Sequence, residues 1–285
     1  MSEDQNAFSA WVGSTEVRQD IISLSPTLGV SAMLDREGPP LDIGDPLPCL
    51  WHWFYFLPQV AASQISSDGH PERGGFLPPV DLPRRMFAGA RLTFHAPLII
   101  GQPAVREGEV LSVTEKSGNS GRLVFVTVRY LIKQLDGTVC IEEEQDIVYR
   151  EPGAAVPRPE PVDVMPDLAP GVWSKTIEPD PVLLFRFSAL TFNAHRIHYD
   201  RPYAMNEEGY PGLVVHGPLT ALFLAELTGH HAGKPMGSFT FRGRAPLFDL
   251  DAFRVVGTPG EKSVELEAHG PDGKTAMTAR AELIG

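Results

Sequence analysis

The fold of this chain is decided by the run Pro218-Leu219-Thr220-Ala221-Leu222-Phe223-Leu224-Ala225-Glu226-Leu227. Proline suits the first turn of a helix, and Gly229 suits the position just past a helix end. The run therefore predicts a helix between these two residues. It is apolar on nearly every side, which is typical of a helix buried on all faces. The rest of the chain must supply the surface that encloses it.

The residues after this helix predict a meander of antiparallel strands. An alternating run at residues 239–244 leads through Ala245-Pro246-Leu247 to a further strand, and Pro271-Asp272-Gly273 separates two more alternating runs. Asp-Gly between alternating runs is a strong hairpin signal. A long antiparallel sheet wrapped around a buried helix is the hot-dog arrangement, which belongs to the α+β class.

The same order of segments occurs earlier in the chain. An alternating strand is followed by Ala96-Pro97-Leu98, and Leu135-Asp136-Gly137 joins two alternating runs. The buried helix has a shorter, aromatic counterpart at residues 50–57. Two matches in the same order indicate an internal duplication. The sequence therefore predicts a double hot-dog.

A proline-rich segment separates the two repeats. Six prolines fall between residues 151 and 170, and such a segment cannot form a helix or a central strand. We predict a degenerate first repeat at residues 1–150, an extended linker at residues 151–172, and a second repeat at residues 173–285.

The net charge, the lengths of the apolar runs and the cysteine spacing argue against several classes of protein. A net charge of −12 disfavours nucleic-acid and anionic-membrane partners. No apolar run approaches the roughly 18 residues that a membrane helix needs, and the polar N-terminal start is unlike a secretory signal. The two cysteines match no metal or redox spacing. We expect a cytoplasmic protein without nucleic-acid or membrane partners.

A cluster of reactive groups directly precedes the buried helix. An amide, two imidazoles, a guanidinium, a phenol and a carboxylate fall within eight residues: Asn193, His195, Arg196, His198, Tyr199 and Asp200. Val215-His216-Gly217 then opens the helix. A proton-transfer group beside a helix N-terminus is what acid–base chemistry on an activated carbonyl requires.

These residues resemble the MaoC-type hydratases of the hot-dog superfamily, which include the R-specific enoyl-CoA hydratases. The family signature is Asp-x-Asn-Pro-(Ile/Leu)-His followed by Val-His-Gly, and this chain has Asn193-Ala194-His195-Arg196-Ile197-His198 and Val215-His216-Gly217. The 14-residue pattern at 187–200 is similar to that of the mesaconyl-C4-CoA (3-methylfumaryl-CoA) and itaconyl-CoA hydratases. It is also similar to that of the mitochondrial type 2 hydroxyacyl-thioester dehydratases.

The resemblance implies three catalytic residues and makes the second repeat the catalytic one. His198 matches the catalytic histidine, which takes and returns a proton. Asn193 stands where the family has an aspartate, and an amide can orient water but cannot take its proton. Gly217 matches the oxyanion-hole glycine, where the thioester approaches the backbone closely.

Five further residues form the predicted substrate-binding set. Arg196 replaces the usual proline, and Arg242 and Arg244 alternate on one strand and would face the same side. Their guanidinium groups could bind a substrate carboxylate or CoA phosphates, or could be ion-paired or solvent-exposed. Tyr199 and His216 complete the set.

The resemblance, together with the nearby arginines, implies the reversible hydration of a short branched dicarboxylyl-CoA, mesaconyl-C4-CoA or itaconyl-CoA, to citramalyl-CoA. We expect a hydro-lyase without cofactor or metal, since the CoA thioester is the substrate, and a homo-oligomer, with a dimer favoured. Alternatives are a 3-hydroxyacyl-thioester dehydratase of fatty-acid synthesis, a hot-dog thioesterase and a non-catalytic acyl-CoA-binding module. A thioesterase needs a carboxylate base or nucleophile, which Asn193 does not supply, whereas a binding module would tolerate Asn193.

Overall fold

A computed structural model describes residues 8–118, 121–162, 165 and 167–285. The polar N-terminal start and Pro166 of the predicted linker lie outside these residues. The described residues form ten strands: β1 Thr15–Ile21, β2 Arg84–Phe94, β3 Pro103–Gly118, β4 Gly121–Gln134, β5 Val139–Arg150, β6 Trp173–Ile177, β7 Met236–Gly243, β8 Phe253–Pro259, β9 Ser263–His269 and β10 Thr275–Leu283.

All ten strands belong to one sheet, in the order β1-β3-β4-β5-β2-β7-β10-β9-β8-β6. Every pair is antiparallel, and β2 and β7 join the halves at the centre. Read outward from the centre, each half gives its second, fifth, fourth, third and first strand. This repeated order confirms the predicted double hot-dog. The residue boundaries predicted for repeats and linker stay a prediction.

The described residues also form four α-helices and four 3₁₀ turns. The α-helices are α1 Leu24–Met33, α2 Pro181–Thr191, α3 Arg201–Asn206 and α4 Gly217–His231, and 3₁₀ turns occur at Ser9–Trp11, Trp51–Phe54, Ala62–Gln64 and Arg196–His198. Among the helices described, none is long and apolar enough to cross a bilayer.

The buried helix predicted from the sequence is α4. It starts at Gly217 with proline in its first turn and packs on the strands of the second half and on β2. Its predicted end is wrong, because Gly229 lies within the last turn and the helix continues to His231. Gly233, with a φ of +62°, takes the left-handed position that commonly ends a helix.

The first-half counterpart of α4 is a single turn, Trp51–Phe54. Trp51 is fully buried, and its indole N–H donates to Glu226 of α4 at 2.7 Å. The imidazole of His52 and the indole of Trp53 reach Glu143 of β5, each at 2.9 Å. This short turn leaves α4 as the long helix that the sheet encloses.

Candidate active site

A cavity of about 1310 Å³ opens at the start of α4. Both halves line it, with His70, Arg85 and Tyr130 from the first half and with Asn193, His195, His198, Tyr199, His216 and Gly217 from the second. Ligand pockets usually measure ~300–1,000 Å³. The volume is therefore sufficient for a ligand as large as an acyl thioester.

The chain after α2 turns sharply and so brings His198 to this cavity. Helix α2 ends at Thr191, and Phe192, the residue after it, has a left-handed φ of +50°. The amide oxygen of Asn193 then accepts the backbone N–H of His195 at 3.0 Å, a local bond typical of Asn turns. A 3₁₀ turn at Arg196–His198 follows. These turns place His198 beside the N-terminus of α4.

The hydrogen bond between His198 and Val214 fixes the imidazole tautomer. Nδ1 lies 2.7 Å from the carbonyl oxygen of Val214, which can only accept, so Nδ1 carries the hydrogen. Nε2 is then the basic nitrogen of the neutral ring. Burial, followed by the charge of His195, lowers the pKa of His198 to about 3, against the opposing effect of the Val214 bond. At neutral pH the imidazole of His198 is therefore uncharged, and its Nε2 can accept a proton.

Four imidazoles form a continuous cluster around this base. The rings of His198 and His216 stack with centroids 3.6 Å apart, His195 lies 5.4 Å from His198, and His70 lies 4.1 Å from His195. Burial, followed by the charge of His70, lowers the pKa of His195 to about 3. Burial and the charge of His198 also lower the pKa of His216. The cluster is therefore uncharged at neutral pH.

His216 is more deeply enclosed than a simple substrate-binding role requires. It is 1% exposed, and its Nε2 lies 2.8 Å from the hydroxyl of Ser188. Its Nδ1 is buried and makes no hydrogen bond to the described residues. The stacked ring supports His198 from one side and leaves its other side to the rest of the site.

A loop of the first half packs directly on the catalytic segment. Asp68 accepts the Nδ1–H of His70 at 3.0 Å, and its backbone oxygen accepts the N–H of Arg196 at 2.9 Å. Gly69 has a φ of +94°, and a Cβ there would lie 1.7 Å from the carbonyl oxygen of Ala194. Only glycine fits this contact. The sequence interpretation missed this loop, whose one signal is Asp-Gly-His within a glycine-rich connection.

Asp68 stays ionised and holds His70 in one tautomer. Burial alone would raise the pKa of Asp68, but the hydrogen bonds from His70 outweigh it and lower the pKa to about 2. Burial lowers the pKa of His70, against the opposing effect of Asp68. His70 therefore carries its proton on Nδ1, and its Nε2 is an acceptor.

Gly217 occupies the first position of α4. A Cβ added there would meet one backbone oxygen, that of Phe87, at 3.8 Å. Protein packing therefore does not require glycine, and the open space lies beside the first N–H groups of the helix, which lack intrahelical acceptors. These donors and the helix dipole suit a developing negative charge.

Two other residues predicted for the site, Asn193 and Tyr199, line the cavity. Asn193 is half-buried and its amide oxygen is engaged by His195, so its amide nitrogen is the group left to orient a ligand. Tyr199 is 45% exposed and its hydroxyl donates to the carbonyl of Ala194 at 3.0 Å.

The predicted arginines differ in position. Arg196 is not part of the cavity lining, because its guanidinium pairs with Asp200 at 2.7 Å and covers the ring of Tyr203. The ion-paired alternative is therefore the one that the structure shows for Arg196. Arg242 is exposed outside the lining, whereas Arg244 lies exposed within it. β7 ends at Gly243, so strand alternation does not extend to Arg244.

The sequence interpretation also missed one group with the spacing of metal ligands. In the described part of the chain, potential ligand atoms of Asp68, His70 and His195 all lie within 4.8 Å of one another. Carboxylate and imidazole groups are common ligands of transition metals. The absence of a metal, expected from the sequence, therefore stays a prediction.

Comparison with known proteins places the chain in a defined family. A family model described as hydroxyacyl-thioester dehydratase type 2 matches residues 50–249. The chain is 59% identical over 276 residues to mesaconyl-C4-CoA hydratase of Chloroflexus aurantiacus, which covers 97% of this chain and 98% of that protein. The resemblance seen in the motif is confirmed.

Solved structures show the same fold at low sequence identity. A MaoC-like dehydratase has a TM-score of 0.69 and 15% identity, with 97% of this chain and 99% of that chain covered. A Mycobacterium tuberculosis protein described as having a double hot-dog fold has a TM-score of 0.60 and 12% identity, with 96% of each chain covered. Both matches support the double hot-dog architecture.

Proposed function

The chain belongs to the hydroxyacyl-thioester dehydratase type 2 family, and from this premise we propose that it reversibly hydrates a short branched dicarboxylyl-CoA. Mesaconyl-C4-CoA is the first candidate substrate, because the relative named for that activity is 59% identical over nearly the whole chain. Itaconyl-CoA is the second, and citramalyl-CoA is the product in both cases. The observation that carries the proposal is a neutral His198 in one cavity with the N-terminus of α4.

Hydration of mesaconyl-C4-CoA begins with a water molecule between Asn193 and His198. As the water oxygen bonds to C3 of the enoyl group, Nε2 of His198 takes one of its protons. The electron pair of the double bond moves to the thioester oxygen and forms an enolate. C2 then takes the proton from the imidazolium, which restores neutral His198 and completes the addition of H and OH. Dehydration follows the same steps in reverse.

The N-terminus of α4 stabilises the enolate. Backbone N–H groups at Gly217 can meet the negative oxygen, and the loss of one such donor typically costs about 2.7–4 kcal/mol of transition-state stabilisation. The enolate also offsets the unfavourable charge of the buried imidazolium. Because the pKa of His198 is low, the imidazolium returns its proton readily.

The proposed enzyme is a cytoplasmic homodimer that binds an acyl-CoA and needs no separate cofactor. The residues named above act without a cofactor other than the CoA thioester itself, which is the substrate. The family and its relative support an acyl-CoA ligand. A cytoplasmic location and a homodimer follow from the sequence expectations and are proposed on that ground alone.

A linear-chain dehydratase of fatty-acid synthesis is the second candidate. The family description favours it, and a cavity of about 1310 Å³ has room for a longer acyl chain. The two candidates differ in the acyl group and share the proton transfer.

A substrate series separates these functions. Hydration is measured by loss of enoyl absorbance and by chromatography of the products, with mesaconyl-C4-CoA, itaconyl-CoA and linear C4 to C16 enoyl-CoAs. We expect the highest kcat/KM with a C5 dicarboxylyl thioester. A preference for C8 or longer chains would support the linear-chain dehydratase. Release of free thiol would indicate a thioesterase, and binding without turnover would indicate a binding module.

A further inference from the structure

We propose that Arg85, on β2, the first-half strand that joins the halves at the centre of the sheet, binds the free carboxylate of the acyl group and thereby selects carboxylated substrates. The inference rests on the proposed hydration of a short dicarboxylyl-CoA and names the group that recognises the acyl end. It replaces the predicted assignment of that carboxylate to Arg196, Arg242 or Arg244.

The position of Arg85 on β2 directs it to the enclosed face of the sheet. It pairs with Tyr149, which is 1% exposed, and directly opposed residues share a face. Phe87, two residues later, lies on the same face, and its ring packs against Trp53 and Phe241. Arg85 is half-buried there and lines the cavity.

Arg85 differs from most other arginines that line the cavity because no carboxylate or backbone oxygen of the described residues binds its guanidinium group. Four of the six lining arginines are engaged by protein groups: Arg18 and Arg106 by Glu16, Arg84 by Glu208, and Arg73 by the backbone oxygens of Val80, Leu82 and Pro83. Within the described ranges, the guanidinium groups of Arg85 and Arg244 make neither a hydrogen bond nor an ion pair. These two are the cations available to an anionic ligand.

The two available arginines occupy different parts of the cavity. Arg244 is exposed, as suits contact with CoA phosphates at an opening. Arg85 is half-buried and lies close enough to His70 and His195 that its charge, after burial, helps to lower the pKa of both. Arg85 therefore lines the same cavity as the histidine cluster, within reach of its charge, and the acyl group must lie in this cavity to react.

The chemistry of the substrate matches this placement. In mesaconyl-C4-CoA, which is 3-methylfumaryl-CoA, C3 carries both a methyl group and the free carboxylate. C3 is the carbon that water attacks, so a cation near the histidines meets the carboxylate of a productively bound substrate. A guanidinium can bind both carboxylate oxygens. A linear enoyl chain would leave the half-buried cation without an anion, which is unfavourable.

A pair of thioesters that differ only in this group tests the inference. In 3-methylcrotonyl-CoA a methyl group replaces the carboxylate of mesaconyl-C4-CoA. Each thioester is measured as a substrate and as a competitive inhibitor, with the wild type, Arg85→Met, Arg85→Gln and the matched control Arg244→Met. Free CoA is measured as an inhibitor of all four proteins, and thermal melting reports whether each variant folds.

We expect Arg85→Met to lower the preference for mesaconyl-C4-CoA over 3-methylcrotonyl-CoA by about 10- to 150-fold, the range of a charge-assisted hydrogen bond. Inhibition by free CoA should not change. Arg244→Met should weaken both thioesters equally and should weaken free CoA. Arg85→Gln should reproduce the loss of preference, which covers the case in which Arg85→Met folds poorly.

Two outcomes would overturn the inference. One is an equal loss on both thioesters in folded Arg85 variants, and the other is weaker inhibition by free CoA with the preference unchanged. Failure of the proposed function gives a different result, namely a wild-type protein that hydrates neither mesaconyl-C4-CoA nor itaconyl-CoA. The inhibition constants then still decide the inference, because a carboxylate site requires wild-type preference for the carboxylated thioester and loss of that preference in Arg85→Met.

Discussion

Replacement of Gly69 by alanine tests whether the first half holds the catalytic segment in place. An added Cβ would lie 1.7 Å from the carbonyl oxygen of Ala194, whereas real Cβ atoms essentially never approach closer than 3.0 Å. The loop and the segment must therefore separate by about 1.3 Å. The same loop carries His70, and the same segment leads to His198. A displacement of about 1 Å can cost an enzyme 10²-fold in rate, so we expect Gly69→Ala to lose about that factor in kcat/KM.

Gly137→Ala is the matched control for backbone strain. Gly137 has a φ of +88°, close to the +94° of Gly69, but a Cβ there meets nothing within 4 Å. Both substitutions carry the penalty of a left-handed backbone, roughly 1–2 kcal/mol. Only Gly69→Ala adds the collision with the catalytic segment. Both variants should melt at lower temperatures than the wild type, but only Gly69→Ala should lose most of its activity.

The assay is steady-state hydration of mesaconyl-C4-CoA, with thermal melting of the wild type and both variants. If folded Gly69→Ala retained kcat/KM within threefold of the wild type, the claim that this loop positions the site would be wrong. An equal loss of activity in Gly137→Ala would also refute the reasoning, because that loss would arise from strain alone.

Three further substitutions test other parts of the site and core. Gly217→Ala should melt like the wild type, because its methyl meets one backbone oxygen at 3.8 Å, but should lose about 10²-fold in kcat as the methyl displaces the thioester; an unchanged kcat would contradict this. Asn193→Asp keeps one oxygen for the N–H of His195, and its second oxygen can accept from water in place of the lost amide donor, so kcat should stay within about tenfold of wild type. Asn193→Leu should lose more than about 10²-fold; equal activity of the two would count against water positioning. Glu143→Gln should lower the free energy of unfolding at pH 7 by about 3 kcal/mol, measured with denaturant. Burial alone would raise the pKa of the Glu143 carboxyl, but its hydrogen bonds, led by the one to His52, lower that pKa. The stabilisation by ionised Glu143 is therefore fully present above the unfolded pKa of ~4.3. It is lost as the pH falls through the lower pKa of the folded state. A variant as stable as the wild type at pH 7 would contradict the role of this pair.

The parts of the molecule that were predictable from sequence depend on neighbours along the chain. The apolar run after Gly217 and the Asp-Gly turns specify a helix and hairpins through local backbone preferences. His198 and Gly217 were found because the motif that contains them has fixed spacing. Even so, the end of α4 was placed at Gly229 rather than before Gly233, because a glycine within a buried helix is tolerated when packing compensates.

The parts that were missed depend on contacts between the halves. Asp68, His70 and Arg85 come from the first half and reach the cavity only because β2 pairs with β7 and the loop packs on Ala194. Neither contact leaves a periodic signal in the sequence. Arg196 was assigned to substrate because its charge was visible, whereas its pairing with Asp200 depends on the geometry of the turn between α2 and α3.

The central claim is that His198 transfers the proton during hydration of mesaconyl-C4-CoA, and one comparison tests it most directly. His198→Asn retains an N–H that can donate to Val214 but lacks a titrating nitrogen, and His230→Ala, at the exposed end of α4, is the matched control. We predict that the wild type and the control hydrate the thioester at similar kcat. The folded His198→Asn variant should lose at least about 10²-fold in kcat. Retention of more than about a tenth of wild-type kcat by that variant would contradict the account.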